Sequence, residues 1–106
     1  MKKQELYRQG DVLIRRIDSL PKKKAVKRNS GLLVEGETTG HAHRIAEVEL
    51  EHAEVLEIGE MLYLRVGKEG VRIVHEEHDT ITLPPGHYEV VRQREYSPEE
   101  IRNVAD

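Results

Sequence analysis

The sequence predicts a mainly β domain, a small antiparallel β-barrel or sandwich with a short C-terminal helix. Short aliphatic runs such as Val12-Leu13-Ile14-Arg15-Arg16-Ile17 read as strands, and Thr80-Ile81-Thr82-Leu83 alternates apolar with polar residues. Turn signals separate those runs at Gly10-Asp11, Gly59-Glu60 and Pro84-Pro85-Gly86. The pattern changes only at Ser97-Pro98-Glu99-Glu100, where a capping serine, a first-turn proline and a capping-box glutamate follow in order.

Taken along the chain, Glu5 to Gln9 is the first expected strand, turned by Gly10-Asp11 into Val12 to Ile17. Asp18 to Ser30 reads as a polar, basic loop, about 18–30, with Pro21 near its start. Gly31 to Glu35 resumes extended structure. Gly36-Glu37-Thr38-Thr39-Gly40 is a turn-prone approach to the next segment. Apolar residues at Ile45, Val48 and Leu50, then Val55, Leu56 and Ile58, continue the strand pattern. Met61 to Val66 and Val71 to His75 flank Gly67-Lys68-Glu69-Gly70, which has the composition of a hairpin loop. His87 to Arg94 is the last expected strand, and Ile101, Val104 and Ala105 stripe a helix over about 98–105.

With 106 residues the chain suits one domain, 1–106, with a small core. That core has no Phe or Trp, so Leu, Ile, Val, Ala and four tyrosines must build it. So thin an apolar supply, in a chain that is 35% charged, predicts a homo-oligomer in which a partner subunit buries further apolar surface. The absence of cysteine excludes disulfides, thiolate metal sites and cysteine nucleophiles. No apolar run approaches a membrane span and no signal-peptide core follows Met1-Lys2-Lys3, so the expected setting is cytoplasmic, away from membranes.

Charge is unevenly spread. Residues 1–30 hold ten Lys and Arg against three acids, whereas residues 31–106 hold seven against seventeen. Lys22, Lys23, Lys24, Lys27 and Arg28 concentrate the basic part and could touch nucleic-acid phosphates. No aromatic residue interleaves with them to stack on bases, which argues for an ordinary solvated loop. Arg92, Arg94 and Tyr96, alternating with Tyr88 and Val90, could line an anion-binding face opposite the acids, but a solvated strand face is the favoured reading.

Histidines carry the chemistry. His41 and His43 lie two apart, so an extended strand points both imidazoles to one face, and Glu47 keeps that parity. His75, His78 and His87 form a second group ending near Pro84-Pro85-Gly86. His75 shares a strand face with Val71 and Ile73, and a turn at Glu76-Glu77 would bring His78 to it. Neutral imidazole with carboxylate suits a divalent ion such as zinc, iron, nickel or manganese. The same histidines, tuned by Glu47, Glu76 or Glu77, would also suit proton transfer.

Gly36 followed by His41-x-His43-x-x-x-Glu47 is similar to the first motif of the cupin family, and Leu83-Pro84-Pro85-Gly86 resembles the turn of its second motif. The resemblance implies a jelly-roll/cupin-like barrel with His41, His43 and Glu47 as metal ligands and a second-motif histidine completing the set. The spacing departs from the family in three places. Gly36 is one residue nearer His41 than usual, the glycine expected after Glu47 comes only at Gly59, and His87 adjoins Gly86 directly.

Serine hydrolase chemistry is excluded, because none of Ser19, Ser30 and Ser97 sits in a nucleophile elbow. The glycines form no phosphate-binding loop. The leading expectation is therefore a small cupin-like protein that binds a divalent metal, as a metalloenzyme or a sensor of a small-molecule ligand. The alternatives are a non-enzymatic, oligomeric assembly module and a nucleic-acid-associated protein.

Overall fold

The computed structural model describes residues 5–35 and 40–92. Among these residues ten strands form two antiparallel sheets. They are β1 (Leu6–Gln9), β2 (Val12–Ile17), β3 (Ala25–Lys27), β4 (Leu32–Glu35), β5 (Ala42–Ile45), β6 (Ala53–Ile58), β7 (Met61–Val66), β8 (Val71–Val74), β9 (Ile81–Leu83) and β10 (Gly86–Arg92). One sheet runs β1-β2-β10-β7-β6-β3 and the other β4-β5-β8-β9. Among the described residues no pairing joins the sheet ends, so the expected barrel does not close and the domain is two open sheets. The C-terminal helix expected at about 98–105, with Arg94 and Tyr96 before it, lies outside the described residues.

Alternation places the core. In β2, Val12 and Ile14 are fully buried while Arg15 is exposed, and in β8 Val71 and Ile73 are buried around exposed Arg72. Val12, Ile14, Leu64, Val66, Tyr88 and Val90 of the larger sheet meet Leu33, Ile45, Val71, Ile73 and Leu83 of the smaller one in a single cluster. Each fully buried aliphatic side chain of this kind contributes about 1.5–3 kcal/mol. Tyr88 supplies the bulk that Phe or Trp would otherwise provide. It is wholly buried, and its hydroxyl donates to Pro84 O at 2.5 Å.

Three local expectations change. The basic loop of 18–30 contains a strand, because β3 pairs with β6 through Ala25↔Ile58 and Lys27↔Leu56. The stretch after Ile45 leaves the sheet as a 3-10 helix over Glu47–His52, and Val48 on it is 81% exposed. Glu49 anchors that helix to β8 by accepting from the Arg72 backbone N–H at 2.8 Å and from Arg72 Nε at 2.9 Å. Finally, Gly67–Gly70 is not the loop of a hairpin. β7 pairs with β6 and β10 while β8 pairs with β5 and β9, so this turn carries the chain from one sheet to the other.

Candidate functional site

β1 and β2 form a tight hairpin in which Gln9 faces Val12 across Gly10-Asp11. Gly10 has φ +59, a left-handed conformation that suits glycine. Tyr7 and Gln9 occupy the inward positions of β1, and Gln9 is only 2% exposed. A buried amide needs partners, and Gln9 finds three. Its Nε2 donates to Ile73 O at 2.9 Å and to Asp79 O at 2.8 Å, and its Oε1 lies 2.8 Å from His43 Nδ1.

That arrangement sets the tautomer of His43. Both Gln9 amide hydrogens are spent on carbonyls, so Oε1 can only accept and His43 Nδ1 must carry the proton. In the neutral ring Nε2 therefore keeps its lone pair. His43 is 2% exposed, and burial holds it below its ordinary pKa. Neighbouring His75 and His78 push the same way, while Asp11 opposes them. Asp11 Oδ1 stands 3.6 Å from His43 Nε2, beyond hydrogen-bond reach but close enough to favour a cation between them.

The chain leaves β8 after Val74 and bends back through Glu76–Asp79, which collects the histidines. The ring centres of His43 and His75 are 4.4 Å apart, those of His75 and His78 are 4.6 Å apart, and those of His43 and His78 are 6.1 Å apart. His41 lies at the rim, 5.6 Å from His75. The bend is tied to β5 because Glu76 Oε1 accepts from the Ala42 backbone N–H at 2.9 Å. That bond holds the Glu76 carboxyl below its usual range. His78 lies directly on Gly10, where a Cβ would fall 2.5 Å from His78 Nε2. The β1–β2 turn thus leaves room for an imidazole that a side chain at residue 10 would displace.

A metal would find these rings close to usable spacing. Metal–nitrogen bonds of about 2.0–2.1 Å place coordinated imidazole centres about 4.5–5.5 Å apart. Among the described residues, however, no three ligating groups already stand in metal-holding geometry. One reason is visible at His75, whose Nδ1 accepts from the Glu77 backbone N–H at 3.0 Å. Its neutral ring then carries hydrogen on Nε2, so coordination through that atom requires the Glu77 bond to break.

The remaining expected ligands lie elsewhere. β5 ends at Ile45, so strand parity does not reach Glu47, which is exposed at the start of the 3-10 helix. His87 pairs with Ile17 near one end of β10, whereas Arg92, opposite Val12, marks the end beside Asp11. Five strand residues at about 3.3 Å each separate His87 from that end by about 16 Å. The four-ligand set that the cupin resemblance implies is therefore not assembled here. Gln9 and Asp11, which sequence reasoning missed, join His41, His43, His75 and His78 instead.

A family model matches residues 8–93, a span that takes in all of these groups. The chain belongs to the family described as a domain of unknown function, DUF8820. Comparison with curated proteins and with solved structures returned no significant match. The DUF8820 span also includes the basic run, where Lys27 Nζ lies 3.5 Å from Glu54 and Arg28 Nε lies 2.7 Å from Glu57. Two of the five charges that could meet phosphates are thus already paired. Among the described residues no helix is long and apolar enough to cross a membrane.

Proposed function

We propose that this DUF8820 chain binds one divalent transition-metal ion, zinc, iron, nickel or manganese, through His43, His75 and His78. Asp11 and His41 flank the same point and compete to complete the shell. The observation that carries this reading is the Gln9–His43 pair. An amide fixed by two carbonyls holds a buried, neutral imidazole with Nε2 bare and directed towards a carboxylate. Metal-binding histidines are commonly oriented in this way by the hydrogen bond at their other nitrogen.

An all-imidazole and carboxylate donor set, without thiolate, favours borderline ions over magnesium or calcium. Such an ion supplies a Lewis acid or a sensor signal, and a small-molecule ligand would reach it from the solvent side where His75 and His78 lie. The two-sheet fold is compatible with a jelly-roll/cupin-like relationship, but the ligands would come from the β1–β2 turn, β5 and the bend after β8.

Metal content measured by elemental mass spectrometry, on protein purified without chelator, tests the proposal. One ion per chain is expected, falling below about a tenth of that in the His75→Ala/His78→Ala double variant with the sheet circular dichroism unchanged. Folded protein that neither retains nor takes up any of these four ions would overturn it.

A further inference from the structure

β4 is an edge strand of the smaller sheet, and a register shift between Leu32 and Val34 bulges it at Leu33. Beside it lies a cleft of about 880 Å³, bordered by β4, the β6–β7 turn and the end of β10. That volume lies within the roughly 300–1,000 Å³ typical of small-molecule sites. Leu33, Val34, Met61, Leu62 and Val90 give it an apolar wall.

The polar groups divide the cleft by charge. Arg28 also lines it but is already engaged, donating to Glu57 at 2.7 Å and to Leu32 O at 3.0 Å. Glu35 and Glu60 are exposed at the mouth. Arg92 lines the same cleft, and among the described residues its buried Nε has no hydrogen-bond partner. Asp11 Oδ2 stands 3.6 Å from it. A buried donor left unmet is costly, and a guanidinium is well shaped to take a carboxylate in two parallel bonds.

We propose that this cleft binds a small organic monocarboxylate, its apolar body along Leu33, Leu62 and Val90 and its acid group held by Arg92. Glu35 and Glu60 at the mouth disfavour a second negative charge on the ligand. Asp11 competes with the ligand for Arg92, so removing the Asp11 charge strengthens binding.

Octanoate titrated into metal-free protein, followed by backbone amide chemical shifts, tests this. Saturable shifts are expected at Leu33, Leu62 and Val90, with 1-octanol binding about tenfold or more weakly because it lacks the charge-assisted pair. Arg92→Gln should weaken octanoate by a similar factor, and Asp11→Asn should tighten it. If Arg92→Gln fails to fold, the octanol comparison and Asp11→Asn still decide. Shifts confined to another face, equal binding of octanol and octanoate, or weaker binding by Asp11→Asn would overturn the proposal. Because the protein is metal-free, failure here leaves the metal reading standing, and failure to bind metal leaves this one.

Discussion

Replacing Gln9 with leucine, a side chain of similar size, would remove the amide that joins β1, β8 and the histidine bend while keeping the site filled. The structure sets the cost. His43 Nδ1–H would lose its partner inside the domain, whereas Ile73 O still faces Ile81 in the β8–β9 ladder and the part-buried Asp79 O can turn to water. One buried donor left unpaired costs about 1–3 kcal/mol and the lost bonds to the two carbonyls about 1 kcal/mol more, partly offset by burial of the leucine, for a net loss of about 1–3 kcal/mol. That is a large fraction of the stability of a small domain. Urea denaturation followed by circular dichroism measures it directly. Zinc affinity should fall by about 10–100-fold as well, because Nε2 of His43 is no longer held in register. A stability change below about 1 kcal/mol, with zinc affinity unaltered, would refute the reasoning that Gln9 organises the site.

Gly10→Ala should be worse than Gly59→Ala. Both positions have positive φ, +59 and +66, but only the residue 10 methyl meets His78, at 2.5 Å, while Gly59 faces open space. Both should lose about 1–2 kcal/mol to backbone strain in thermal melts, and only Gly10→Ala should also shift the His78 imidazole resonances. His43 is held below its ordinary value by burial, so the unfolded chain binds more protons in the window from the unfolded pKa of about 6.5 down to the lowered folded one. Stability attributable to His43 is present above that window and lost as pH falls through it. Metal-free protein should therefore show a falling urea midpoint below about pH 6.5, smaller in a folded His43→Gln variant. Tyr88, wholly buried, is pushed up to about 12, so its tyrosinate absorbance should appear only at that pH or on unfolding. Tyr88→Phe should cost about 1 kcal/mol for the lost bond to Pro84 O.

The strands built on dense aliphatic runs were legible in the sequence. Val12–Ile17, Met61–Val66 and Val71–Val74 lie where their patterns place them, because each has one face on the shared core. β3 was not legible. Its three residues are all exposed, so an edge strand inside a lysine-rich run carries no alternation to read. The 3-10 helix was misread because Val48 and Leu50 look like core residues, yet both are exposed. The sheet change at Gly67–Gly70 depends on long-range pairing that no local turn signal encodes. At the site, His41 and His43 are linked by strand parity and His75 and His78 by their turn. Gln9 and Asp11 come from a hairpin thirty or more residues earlier in the chain. The signal for Gln9 was nonetheless present, since it shares the inward face of β1 with Tyr7 and a polar residue at a core position calls for a buried partner. Glu47 and His87 were expected from their chemistry and spacing, and backbone geometry separates them.

The most direct test of the histidine site is the X-ray absorption fine structure of the zinc-loaded protein. The proposed coordination predicts a nitrogen and oxygen shell at about 2.0–2.1 Å, with outer-shell scattering from three imidazoles, or four where His41 completes the shell, that falls by one in His75→Ala. An all-oxygen shell like that of hydrated zinc, or an imidazole signal unchanged when His75 and His78 are both replaced by alanine, would contradict it.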